Sequence, residues 1–231
     1  MESKISYTIP QYAVSTDSVI FGFEKEKLHV LLIKRGIEPF KDQWALPGGF
    51  VHTNETTEAC ARRELKEETG LDDIYMEQLY TFSQVDRDPR GRVITVAYMA
   101  LIKSGDITLN AGDDASMAQW FNVQQLPALA FDHEMILNIA LTRLKSSISY
   151  KPIGFELLPE KFTLSQLQIL YESILQRQLD KRNFRKKIEK TGILTKLEEK
   201  QQHVAHKPAQ LFKFNKEKYN SLLTNGFNFE I

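Results

Sequence analysis

The stretch from Gly49 to Leu71, GFVHTNETTEACARRELKEETGL, constrains this chain more than any other. From about Thr57 to Thr69 good helix formers dominate, Thr56 or Thr57 is available as N-cap, and Gly70 stands where a left-handed residue closes a helix. The run therefore reads as a helix. Glu64, Glu67 and Glu68 then fall at i, i+3 and i+4 and project from one face within about one turn of roughly 5.4 Å, with Ala61 and Leu65 as the apolar stripe. Arg63 reaches Glu55 in the preceding loop and also holds Glu64 by a bidentate contact. Such a cluster suits a hard divalent cation. Taken alone it is equally a solvated acidic face, because like charges at i,i+4 cost only roughly 0.2–0.5 kcal/mol when exposed. The full set of fixed positions, Gly49, Glu55, Arg63, Glu64, Leu65, Glu67, Glu68, Gly70 and Leu71, coincides by chance in roughly one chain in ten million at average composition. That decides for the cation.

These positions resemble the Nudix box, G-x5-E-x7-R-E-U-x-E-E-x-G-U with U aliphatic, and match it throughout. The resemblance implies an α/β (α+β) chain containing a Nudix α/β/α sandwich with a mixed sheet. It also implies Mg²⁺- or Mn²⁺-dependent hydrolysis of a nucleoside diphosphate linked to another group. Carried over residue by residue, it makes Glu64, Glu67 and Glu68 metal ligands, with Glu64 also the base in some members. Arg63 and Glu55 become an orienting pair, and the carbonyl of Gly48 or Gly49 completes the metal shell.

A length of 231 residues suggests one or two domains. Formal net charge is zero, but residues 1–150 carry 15 Lys and Arg against 21 Asp and Glu, while residues 151–231 carry 15 against 9. The two parts have different work to do. Cys60, the single cysteine, excludes an intrachain disulfide and reads as a small buried thiol. No apolar run reaches the length of a membrane span and Met1–Tyr7 is polar, so neither span nor signal peptide is expected and the protein reads as cytoplasmic.

Ahead of the box, residues 12–23 and 28–33 read as a hairpin of partly buried strands. Lys34 and Arg35 at its end are either phosphate contacts or exposed strand-end cations. Trp44, in the WALPGG run, either packs the core or stacks on a base. After the box, residues 75–83 and 93–102 read as strands joined by Asp86–Arg92, where Asp88-Pro89-Arg90-Gly91 has type I turn chemistry and suggests a hairpin tip. That segment, DRDPRGR before VITVAY, also resembles a segment of ADP-ribose-directed Nudix proteins and their regulator relatives, which makes Arg90 and Arg92 candidates for substrate contact. Asp113 and Asp114 are either turn residues or a further acid for the site. Residues 118–122 suggest another strand. A helix starting near Asp132 should line its core face with Ile136, Ile139, Ala140 and Leu144, with His133 as a surface or capping residue. Ser146–Gly154 breaks the pattern, and a domain boundary is placed there, giving domains 1–150 and 151–231.

The tail opens with a capping box at Thr163–Gln166 and a helix burying Leu164, Leu167, Leu170, Tyr171 and Ile174. Asp180 opens a second helix, 181–190, closing at Gly192, with Phe184 and Ile188 inside and Lys181, Arg182, Arg185, Lys186 and Lys190 outside. Strands near 193–197 and 209–214 flank a loop, Glu198–Pro208, and a final helix near 216–224 buries Tyr219, Leu222 and Leu223. This order is that of a winged helix-turn-helix, whose cationic helix enters the major groove of double-stranded DNA. Lys181, Arg182, Asn183, Arg185, Lys186 and Lys187 are then the DNA-contacting set. His203 and His206 lack the companions of a zinc site. GFELLPEKFTLSQLQILYESILQRQLDKRNFRKKI and the later KPAQLFKF run resemble the C-terminal domain of Nudix-related transcriptional regulators, the NrtR-like family. That resemblance implies a metabolite-sensing Nudix domain, with ADP-ribose or a sugar as effector, and a homodimer on a palindromic operator. Many members of that family have a degenerate box, whereas every acid is retained here. Two readings follow: a Mg²⁺-dependent hydrolase coupled to DNA binding, or a non-catalytic sensor and repressor.

Overall fold

The computed structural model describes residues 10–103, 109, 115–202 and 207–224. Strand β1 (Ala13–Glu24) and β2 (Lys27–Arg35) form the expected hairpin, turning through Lys25 and Glu26 in left-handed conformation. Short strands β3 (Trp44–Ala45) and β4 (Gly48–Phe50) precede helix α1 (Thr57–Thr69), and β5 (Glu77–Phe82), β6 (Val93–Ile102) and β7 (Ala115–Asn122) follow it. These strands make one mixed sheet with path β3-β2-β1-β6-β5, in which β4 also pairs with β1 and β7 with β2. β1 and β6 run parallel, whereas the other pairings are antiparallel.

Alternation along the central strands divides the core. Ile20 and Leu31 face one side, where they meet Ala61 and Leu65 of α1. Val19, Phe21, Val30 and Leu32 face the other, where they meet Ile136, Leu137, Ala140 and Leu144 of α2 (His133–Tyr150). Ile139, expected on that face, is exposed, and Leu137 is buried instead. Ser146–Tyr150, expected to break the pattern, continues α2, because Ser147 and Ile148 extend its buried face. The helix stops at Lys151, which is held extended as the residue before Pro152.

Beyond a 3-10 turn (Ile153–Leu157) come α3 (Leu164–Leu175), α4 (Lys181–Thr191), the hairpin β8 (Leu194–Lys200) and β9 (Gln210–Phe214), and α5 (Lys216–Thr224). The capping box at Thr163 and Gln166, the Asp180 cap and the left-handed Gly192 are all formed. Leu164, Leu167, Leu170, Tyr171 and Ile174 are buried as expected, with Phe184 and Ile188 beneath α4. Tyr219 and Leu222 pack at the edge of the same core. This C-terminal part does not hang from a linker. α3 shares one hydrophobic cluster with α2 and the sheet, and Ser173 Oγ accepts the backbone N–H of Leu28 on β2 at 2.9 Å.

Candidate active site and DNA-binding helix

The box helix is set by its ends. Thr56 Oγ1 accepts the N–H of Ala59 and left-handed Gly70 returns its N–H to Lys66, so the register that places the three glutamates is fixed. Arg63 is the hub in front of them. Its Nε and Nη2 bind the two oxygens of Glu55 at 3.1 and 2.7 Å, and its Nη1 donates to Glu64 at 2.7 Å and to Glu67 at 2.9 Å. The Arg63–Glu55 pair is thus in place. The guanidinium, joined by the N–H of His52, holds the Glu55 carboxyl down at about 2.

Two glycines let the loop close on the helix. A Cβ on Gly48 would stand 2.0 Å from the carbonyl of Thr16, so β4 pairs with β1 only with glycine there. A Cβ on Gly49 would stand 2.2 Å from Glu64 Oε1, so the Glu64 carboxyl occupies the space that Gly49 leaves. Glu68 is buried and accepts the N–H of Gly48 at 2.8 Å. Burial raises its carboxyl to about 8, against that hydrogen bond, and burial likewise pushes Glu64 up although Arg63 opposes it. Cys60 is the buried thiol expected, touching Thr16 at 3.3 Å and raised by burial to about 11.

Glu64, Glu67, Glu68 and Gly49 line a cleft of about 790 Å³ together with Arg35, Arg87, Asp88, Arg90, Phe131 and His133. Asp86–Arg92 is more than a hairpin tip. The turn exists, with Gly91 N–H donating to Asp88, but Arg87 and Asp88 fold inward and are buried. Arg87 donates to both oxygens of Asp132 at 2.9 and 2.6 Å and to Asp17 at 3.4 Å, which tethers the loop to the start of α2. Asp17 also accepts from Thr95 at 2.8 Å.

His133 corrects the sequence reading, being buried rather than at the surface. Its Nδ1 accepts the N–H of Leu46 at 2.9 Å, so Nε2 carries the proton and faces Asp17 Oδ1 at 3.3 Å. Burial pushes its pKa down, against the pull of Asp17 and Asp132. Asp17, Arg87, Asp132 and His133 escaped sequence reasoning because their partners lie in distant segments. The DRDPRGR run, singled out for Arg90 and Arg92, pointed to the loop but not to Arg87.

The remaining candidates divide. Arg90 lines the cleft, bound by Asp88 at 3.0 and 2.7 Å, and Arg35 lines it with Nε on the carbonyl of Pro39 at 2.8 Å. Arg92 is turned away from that lining, donating to the carbonyls of Ser83 and Gln84. Trp44 packs in the core, edge-on to Phe121 at 4.6 Å. Asp113, Asp114, His203 and His206 lie outside the described residues.

Hard carboxylate oxygens with a backbone carbonyl beside them suit Mg²⁺ or Mn²⁺, and a buried acid as destabilised as Glu68 gains from a cation. The donor set therefore fits a divalent metal. Among the described residues no three acidic, His or Cys side chains are already gathered into a ligand shell. The reason is local: Arg63 draws Glu64 and Glu67 to itself and Gly48 holds Glu68.

On α4, Lys181, Arg182, Asn183, Lys186 and Lys187 are exposed on the face away from Phe184 and Ile188. Arg185, expected outside with them, is half-buried and donates to Ser165 Oγ at 3.1 Å, bracing α4 against α3. No helix among the described residues is long and apolar enough to cross a membrane.

Comparison with known proteins agrees with both halves. Residues 11–139 match the NUDIX domain and residues 154–214 match the NrtR DNA-binding winged helix domain. The chain is 37% identical over 216 residues to the ADPR responsive transcriptional repressor NtrR of Acinetobacter baylyi, covering 91% of this chain and 85% of that protein. It is 48% identical over 125 residues to the ADP-ribose pyrophosphatase of Methanocaldococcus jannaschii, covering 54% of this chain and 70% of that one. The crystal structure of Shewanella oneidensis NrtR complexed with a 27mer DNA superposes with a TM-score of 0.73 at 30% identity, over 94% of this chain and 97% of that one. Sheet, box helix and winged helix thus agree with relatives across nearly the whole length, and the chain belongs to the Nudix family, among the NrtR-like regulators that join a Nudix domain to a winged-helix DNA-binding domain.

Proposed function

We propose that this chain is a transcriptional regulator whose Nudix domain, residues 1–150, hydrolyses ADP-ribose with Mg²⁺ (or Mn²⁺), and whose winged helix, residues 151–231, binds an operator as a homodimer in the cytoplasm. One observation carries the catalytic half: every acid of the box is present, and the same cleft supplies Arg35 and Arg90. Glu64, Glu67, Glu68 and the Gly49 carbonyl would hold the metal, which when bound would neutralise charge on the diphosphate and lower the pKa of a water. Glu64 receives the proton of the attacking water, Arg63 and Glu55 fix the orientation of Glu64, and Arg35 and Arg90 hold the phosphates. The water oxygen bonds to phosphorus as the bridging P–O bond breaks, giving AMP and ribose 5-phosphate. Support for ADP-ribose comes from two relatives, one a repressor responsive to it and one a pyrophosphatase that acts on it.

A second reading, sensing without cleavage, has one observation in its favour: Arg63 engages Glu64 and Glu67 and so competes with a metal for both. Both readings share the DNA-binding half, for which the exposed cations of α4 supply phosphate contacts. A mobility-shift titration on the promoter region of the protein's own gene tests it. Binding at low salt should weaken when Lys181, Arg182, Lys186 and Lys187 are changed together to Ala, and ADP-ribose should alter the affinity, since an effector acts through differential affinity for two states. Binding indifferent to those changes would sink the assignment of α4.

A further inference from the structure

Besides its carboxylates and arginines the cleft holds aromatic rings that the diphosphate chemistry leaves unused. Phe131 has a left-handed backbone (φ 54°), a conformation a bulky residue keeps only when its surroundings impose it. That backbone sets its ring edge-on to Phe40 at 4.7 Å and 5.3 Å from the His133 imidazole. Two guanidiniums lie over the same ring, Arg35 at 4.9 Å and Arg90 at 5.3 Å from its centre. Arg90 also lies over Phe50, at 4.6 Å, and that ring is 38% exposed on β4. Asp88, itself buried, grips the Arg90 guanidinium from the other side through Nε and Nη2.

A phenyl ring has nothing to offer a phosphate. It offers a face to a flat π-system, and a guanidinium adds a cation to the stack. A strained phenylalanine beside a second exposed ring, both capped by arginines that also suit phosphate, fits a ligand with a flat ring joined to an anionic chain. We propose that Phe131 and Phe50, with Arg90 over both rings, form the specificity-determining subsite for the base of the nucleotide. The proposal rests on the nucleotide reading of the cleft, and it assigns to Phe131 a ligand contact in place of a purely structural role.

The test uses the full chain with Mg²⁺ and 1,N6-ethenoadenosine 5′-diphosphate, whose ring emission is quenched by stacking. Wild type should quench on binding. Phe131→Leu should lose the quench and weaken affinity by about tenfold, while Phe131→Tyr restores both and competition by inorganic pyrophosphate stays unchanged in all three proteins. Equal weakening of the fluorescent nucleotide and of pyrophosphate in Phe131→Leu, or an unaltered quench, overturns the subsite. A wild-type chain that binds ADP and not ADP-ribose would defeat the proposed substrate and leave the Phe131 comparison to decide the subsite. One that binds no ADP defeats both.

Discussion

At the scale of single residues the site depends on close approach. Gly49 is small so that the Glu64 carboxyl can lie against it, and the atoms a Cβ would meet are the end of a flexible side chain. Gly49→Ala should therefore leave the fold unchanged by circular dichroism and displace Glu64, reducing hydrolysis on the order of a hundredfold. Full activity in that variant would show that Glu64 need not lie where it does. Glu55 gives a pH dependence. Its pKa is lowered from 4.5 to about 2 by Arg63, so its contribution to stability is present above the unfolded value and is lost as pH falls through about 2. Between those limits the melting temperature of wild type should fall more steeply than that of Glu55→Gln; parallel curves would contradict the pairing. The box was readable because its partners sit within one loop and one helix. His133 was not, since its partners, Asp17 on β1 and Leu46 between β3 and β4, are remote in sequence and only the folded sheet brings them to α2.

At the scale of elements, period and caps carried most of the outcome. α1 and α4 begin at the Thr56 and Asp180 caps and end at left-handed Gly70 and Gly192, whereas α3 begins at its Thr163 cap and ends at a left-handed Gln176. α2 overran the reading because Ser146 and Ser149 look like linker residues while Ser147 and Ile148 are buried on the same face as Leu144. Arg185 was misjudged for a related reason: its spacing puts it beside the exposed cations, but Ser165 at the start of α3 captures it. The exposed and braced cations of α4 should therefore differ in a measurable way. Lys186→Ala or Lys187→Ala should each reduce the salt dependence of operator binding by about one counterion, uniformly across DNA sequences. Arg185→Ala should act through α4 packing, lowering the melting temperature. Binding isotherms over a range of salt concentration check the first point, and a larger change in slope for Arg185→Ala than for the lysines would contradict it.

At the scale of the whole molecule the two halves share one core. Phe21, Val30 and Leu32 of the sheet lie in the same cluster as Leu170, Tyr171 and Ile174 of α3, and Ser173 is bonded to Leu28 across the junction. Composition disclosed two parts of opposite charge but not this continuity, because the residues that join them look like ordinary core residues within each part. β2 carries Arg35 in the cleft at one end and the Ser173 contact at the other, so the cleft and the winged helix are supported by a common strand. Whether the cleft cuts what it binds is the central question, and the direct measurement is AMP release from ADP-ribose with Mg²⁺, comparing wild type with Glu68→Gln. Release by wild type and its loss in the variant is the expected result. Tight ADP-ribose binding with no AMP from either protein, or equal release from both, would contradict the hydrolase and leave the chain a sensor.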